Sequence, residues 1–246
     1  MFTYISKFKH PAKNIAVNKN LLIDIFLGII KRHDKQQHTS QKSCKKSLRV
    51  AVEKLHHQIL DIRLQGIAEL GALANYHKQD NWEIMEFLTA FVRQNSDYKT
   101  NQEVKSQSSP KIAPDIQAAL QVITTTYTPK SLASEQLDLS YTDLRGANLS
   151  GGNLAGVNFY QANLSGANLA GANLSGAILC AANLSQANLV GANLTEAIVS
   201  AANLVGANLA QANLVKANFY LANLSETNLQ DAILEGANFR EAKFSG

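Results

Sequence analysis

From Leu137 onward the chain returns to one pattern every five residues without a slip: Ala-Asn-Leu-Ser-Gly, Ala-Asn-Leu-Ala-Gly, Ala-Asn-Leu-Val-Gly. With the central apolar residue called i, this position runs from Leu139 through Leu144 and Leu149 to Phe239 and Phe244, giving 22 repeats. All are apolar: 17 Leu, 4 Phe and Val199. Position i−2 is Ala in 17 repeats and i−1 is Asn or Asp in 18. A period of five suits neither ordinary element. In an α-helix five residues advance about 500°, which would smear the leucines around the cylinder. In a flat strand an odd period sends alternate leucines to opposite faces. Every leucine reaches one core only if the chain turns a corner every five residues, which makes a solenoid.

The rarer residues count the sides. Phe159, Phe219 and Phe239 are separated by 60 and 20 positions, Tyr160 and Tyr220 by 60, Ile178 and Ile198 by 20. A superperiod of 20 means four sides, with i and i+20 stacked. The column Phe159, Leu179, Val199, Phe219, Phe239 is then expected along one inner wall. At ~4.8 Å per coil the repeats build a rod roughly 26 Å long. Alanine at i−2 is expected to point inward beside the leucine. Asparagine at i−1 is assigned to the corner, because it tolerates turn dihedrals and bonds nearby backbone. Glycine at i+2 (Gly146, Gly166, Gly206) eases the same corner. Positions i+1 and i+2 face solvent.

These residues resemble the pentapeptide-repeat family, with its A-(D/N)-L-x-x signature, over residues 137–246. The resemblance implies a right-handed quadrilateral parallel β-helix. Its members are functionally scattered, so it implies little about activity. Ile178, Ile198, Ile233 and Lys243 depart from the signature at i−1.

The first half reads differently. Ile84, Met85, Leu88, Phe91 and Val92 form a helical stripe, with Asp80 or Asn81 as N-cap and Glu83 and Glu86 favouring the positive helix start. Leu60, Leu64, Ile67, Gly71 and Ala74 form another. After a polar loop from Ser96 to Pro114, a further helix begins at Asp115 and carries Ile116, Ala119, Leu120 and Ile123. The segments Asp61-Ile62-Arg63-Leu64 and Asp115-Ile116-Gln117-Ala118 resemble HEAT-type helical units. Together with Trp82 to Val92 they are similar to the helical region that precedes the repeats in many cyanobacterial pentapeptide-repeat proteins. The expected class is therefore α+β: a basic, weakly ordered segment over residues 1–47, a HEAT-like helical region over 48–130, and the β-helix over 137–246.

Charge follows the same division. Residues 1–136 carry 19 Lys and Arg against 12 Asp and Glu, a net +7; residues 137–246 carry 4 against 7, a net −3. The basic run Lys31, Arg32, Lys35, Lys42, Lys45, Lys46 and Arg49 is interleaved with polar residues and reads as a solvated linker. Contact with nucleic acid and contact of residues 1–49 with an anionic membrane surface are the other uses of such a run. The apolar stretch Leu21 to Ile30 contains Asp24 and reaches only roughly 15 Å as a helix, half a bilayer core. With no leader sequence expected and two widely spaced cysteines, Cys44 and Cys180, a reducing cytoplasmic setting is expected.

Chemistry finds no foothold in this pattern. His56 and His57 are adjacent on a helix and diverge by ~100°. No Gly-rich phosphate loop, nucleophile elbow or H-E-x-x-H is present. No catalytic residue, metal or cofactor is expected. The expected function is a non-enzymatic protein-interaction scaffold that uses the rigid faces of the solenoid. The alternative that the family resemblance raises is a DNA mimic acting on a type II topoisomerase. DNA carries one charge per ~1.7 Å, so a rod of this length needs more than a dozen net negative charges, against −3 here. Nucleic acid is not an expected partner. The candidate interaction face is Tyr160, Ile178, Cys180, Ile198 and Tyr220, outward positions that stack at intervals of 20. Two large rings in the last coil, Phe239 and Phe244, are the candidate end of a homodimer, since family members that end bare commonly pair end to end.

Overall fold

In the computed structural model, the described residues are 39–76, 81–96, 112–128 and 136–245. All of them lie in one compact unit, Gln37–Gly246. The basic segment before Thr39, with Leu21 to Ile30, and most of the Ser96–Pro114 loop lie outside the described residues. None of the helices among the described residues is long and apolar enough to cross a membrane.

Four helices precede the repeats: α1 (Thr39–Leu55), α2 (Leu60–Tyr76), α3 (Trp82–Asn95) and α4 (Pro114–Thr126). The first turns of α1 fall in the basic stretch for which weak order was the expectation. The helix becomes committed where Ala51, Val52 and Leu55 enter the core. There α1 packs on α2, which in turn packs on α4. Gly66 allows the first contact: a Cβ there would lie 2.7 Å from the Ala51 carbonyl oxygen. The apolar stripe of α3 is buried as read from the sequence, and Phe87 joins it. In α2 the buried face is Gly66, Ile67, Leu70, Gly71 and Ala74, while Leu60 and Leu64 are half-buried. Arg63 ties the helices together. Its Nε donates to Asp115 at the start of α4 (2.7 Å), and its Nη1 donates to the carbonyls of His57 and Gln58 between α1 and α2.

After Gln136 the chain coils. Parallel bridges join residues one superperiod apart, from Asp138↔Asn158 through Ile178↔Ile198 to Asn223↔Lys243. Each coil therefore has four sides. These are isolated bridges rather than extended strands. The corner consumes most of each five-residue side, and a single residue per side is left in paired, extended geometry. Leu at i and Ala at i−2 point inward: Leu164, Leu184, Leu204, Ala172 and Ala192 are all fully buried, and Phe159, Leu179, Val199 and Phe219 form the expected inner column. Burial of this kind contributes about 1.5–3 kcal/mol per large side chain and is the main stabilising force of the rod.

The corner sits at i+2. Every residue there from Tyr141 to Glu241 has positive φ, twelve of them non-glycine and nine glycine. Asparagine at i−1 is not the corner residue; it occupies the bridge itself. Its Oδ1 accepts the N–H of i+1, as Asn183 does from Ser185 (3.1 Å). Its Nδ2 donates to the asparagine one coil earlier, as in Asn183 to Asn163 and Asn203 to Asn183, both 3.2 Å. The side chain thus stiffens the turn and ties the coils together at once.

The helices close the first coil. The N–H of Asp143 donates to the carbonyl of Ser96, at the end of α3, and that of Asn153 to the carbonyl of Thr124 in α4 (2.9 Å). Gln117 of α4 imitates a rung: its Oε1 accepts the N–H of Asn148 (2.9 Å) and its Nε2 donates to the carbonyl of the same residue (2.7 Å). On the remaining side Arg93 pairs with Asp138 at 2.9 Å. Exposed sheet edges invite association, and here each side of the first coil meets a helical residue.

Candidate interaction surface

One side of the rod is built from the bridge column Asp138, Asn158, Ile178, Ile198, Asn218 and the i+1 column Ser140, Tyr160, Cys180, Ser200, Tyr220 beside it. All five residues of the candidate face lie on this side. Ile178 bridges directly to Ile198. Tyr160 is exposed, while Ile178, Cys180, Ile198 and Tyr220 are half-buried, so the strip is flatter and less accessible than the outward assignment implied. Where isoleucine replaces asparagine at 178 and 198, the side-chain ladder of that column is interrupted and apolar surface takes its place.

Two residues extend the strip that the sequence reading did not single out. Tyr141 and Leu221, 38% and 48% exposed, stand at i+2 on the same side. They are the only large apolar residues at any i+2 position, and they are four coils apart, a signal available in the sequence. Tyr141 meets Tyr160 edge to face with ring centroids 5.5 Å apart. Burial, and then the neighbouring Tyr160, push the Tyr141 phenol above its ordinary pKa. Tyr220 donates to Glu241 at 3.3 Å, which holds its ring against the rod. Burial also raises the Cys180 thiol, and its Sγ lies 3.8 Å from the Ile198 carbonyl. A thiol held protonated is a poor nucleophile.

The C-terminal coil is a second, distinct surface. Phe239 stacks on Phe219 (5.1 Å, 15°) and meets Phe244 at 5.8 Å. Phe239 is half-buried by this stacking; Phe244 is 57% exposed and Leu234 43%. Elsewhere on the rod three ion pairs stand side by side: Arg145 with Asp143, Lys216 with Glu196, and Arg240 with Glu241. Among the described residues no group of His, Cys, Asp and Glu is arranged to hold a metal. His57 accepts the N–H of Ile59, and a ring nitrogen of His56 faces the Val52 carbonyl.

The family described as pentapeptide repeats matches in eight copies, over residues 135–166, 162–200, 202–240 and 222–246. Among solved structures, HetL, a pentapeptide repeat protein involved in heterocyst differentiation regulation from the cyanobacterium Nostoc sp. strain PCC 7120, is 33% identical. The match covers 44% of this chain and 60% of that one, with a TM-score of 0.39. The pentapeptide repeat protein Rfr23 from the cyanobacterium Cyanothece 51142 is 36% identical over 40% of this chain and 65% of that one, with a TM-score of 0.29. QnrB1, a plasmid-mediated fluoroquinolone resistance protein, is 23% identical over 42% and 58%, with a TM-score of 0.27. The chain thus spans about three fifths of the length of these relatives. No curated protein matches it.

Proposed function

We propose that this chain, whose residues 135–246 are pentapeptide repeats, is a non-catalytic scaffold that binds a protein partner along one side of a right-handed β-solenoid. The observation that carries the reading is the strip of Tyr141, Tyr160, Ile178, Cys180, Ile198, Tyr220 and Leu221 on a single side of the rod. Clustered tyrosines with apolar neighbours favour protein contacts, and a rigid backbone lowers the ordering cost of binding. A lumen filled by leucine and alanine supports a binding role over a catalytic one. The HEAT-like character of the helices and a cytoplasmic setting belong to the same proposal, as does contact of the basic residues 1–49 with an anionic membrane surface. We also propose a homodimer joined through Leu234, Phe239 and Phe244. The DNA-mimic reading has little support, because three of the four basic residues of the repeats stand beside acidic ones and the net charge is small.

The test is site-directed crosslinking from Cys180 in a Cys44→Ser background, in lysate of the native organism. Attachment of the label is expected to be slow at neutral pH and to accelerate as pH rises through the alkaline range, because burial holds the thiol protonated. One specific adduct is expected, lost on Tyr160→Ser with Leu221→Ser. No adduct, or an adduct indifferent to those substitutions, sinks the reading. Inhibition of gyrase supercoiling by micromolar protein would favour the mimic instead.

A further inference from the structure

Every interior junction between coils uses the same three bonds per side. Leu184 N–H donates to the Asn203 carbonyl (2.7 Å), Gln186 N–H to the Val205 carbonyl (2.9 Å), and Asn203 N–H back to the Ala182 carbonyl (2.9 Å). Toward the C-terminus, each side of a coil therefore offers two N–H groups and one carbonyl. Toward the N-terminus it offers one N–H and two carbonyls. The two ends of the rod are complementary to each other and not to themselves. In the last coil the N–H groups of Leu229, Asp231, Leu234, Gly236, Phe239 and Glu241 have no partner among the described residues. At the other end, Ser96, Gln117 and Thr124 take the N–H groups of Asp143, Asn148 and Asn153. In each interior junction those same groups go to the preceding coil.

Gly152 marks how closely the helices sit. It occupies i−2, where alanine is the rule, and an added Cβ would lie 2.7 Å from the Thr124 Cβ. The solenoid itself accepts larger residues at this position, since Val157 is fully buried at i−2 in the next repeat. The glycine serves the helix, not the coil.

We propose that the helical region is a built-in stop against head-to-tail assembly. It holds the N-terminal rim in the register that the C-terminal coil of a second copy would otherwise take. Such a contact is heterologous and does not close, so an uncapped rod grows into a filament. Ring contact between two C-terminal ends leaves their donors facing donors, whereas head-to-tail stacking satisfies them. Growth therefore wins once the rim is open, whether or not the intact chain pairs.

The experiment uses the full chain carrying Gly152→Ala and Gln117→Ala. Release of the rim is read from hydrogen exchange at the Asn148 and Asn153 amides, and an intact rod from protection at Leu184 and Leu204. Gly152→Val replaces Gly152→Ala if the first two stay protected. The expected result is a scattering mass that climbs with concentration without a plateau, while the intact chain holds a fixed mass. Leu234→Asp added to the uncapped chain is expected to abolish the growth. An uncapped rod that keeps the mass of the intact chain overturns the proposal. So does growth that Leu234→Asp leaves unchanged, or loss of protection at Leu184 and Leu204 with no ordered filament.

Discussion

At Gly171 and Ala201 the same left-handed corner is met by two different residues. Gly171 has φ of 65° and Ala201 of 56°, and an added Cβ at Gly171 meets nothing within 4 Å. Strain can thus be separated from collision. A left-handed conformation costs a residue with a Cβ about 1–2 kcal/mol, offset in part by the greater freedom of glycine in the unfolded chain. Gly171→Ala is expected to lower stability by about 1 kcal/mol, and Ala201→Gly to raise it by about 0.5 kcal/mol. Urea denaturation of the two variants checks the opposite signs. A stabilising Gly171→Ala together with a destabilising Ala201→Gly would mean the corner is not strained. The inward positions behave otherwise: Leu184→Asp buries a charge with no partner and is expected to cost more than 4 kcal/mol by the same measurement.

At the scale of elements, the helices are held by a few polar ties between apolar faces. Asp115 is 7% exposed, and its partner Arg63 also gathers the carbonyls of His57 and Gln58 between α1 and α2. Breaking such a pair from one side leaves a buried charge uncompensated. Arg63→Met is expected to cost about 3 kcal/mol, read as a lower melting temperature of the helical signal in far-UV circular dichroism. Replacing both, Arg63→Met with Asp115→Leu, is expected to recover most of that loss. Full additivity of the two substitutions would show that the pair does not act as a unit. In the rod the corresponding ties are the asparagine ladders, repeated at coil spacing.

At the scale of the molecule, one end of the rod is covered by helices and the other presents Leu234 and Phe244 to solvent. Large apolar patches at an open end favour pairing. The intact chain, 26.7 kDa by sequence, is expected to scatter at roughly 53 kDa, twice that mass, at tens of micromolar; Phe244→Asp with Leu234→Asp is expected to return it to roughly 27 kDa. A monomer for the intact chain under those conditions ends the dimer proposal.

Period five, the superperiod of 20 and the inward leucine and alanine were all legible in the sequence. A solenoid writes its stacking into the chain as repetition, and each position meets the same surroundings coil after coil. Helical stripes were legible for the related reason that burial at 3.6-residue spacing is local. The asparagine role was misread because its second partner lies 20 residues away, so its taste for turns pointed to the corner rather than the bridge. Nor could spacing reveal that Gln117 would serve as a rung or that Thr124 would crowd Gly152. Those contacts depend on the angle at which α3 and α4 dock on the first coil. That angle is a property of the packed tertiary structure, set by the apolar faces of α2, α3 and α4 together and by no one of them alone.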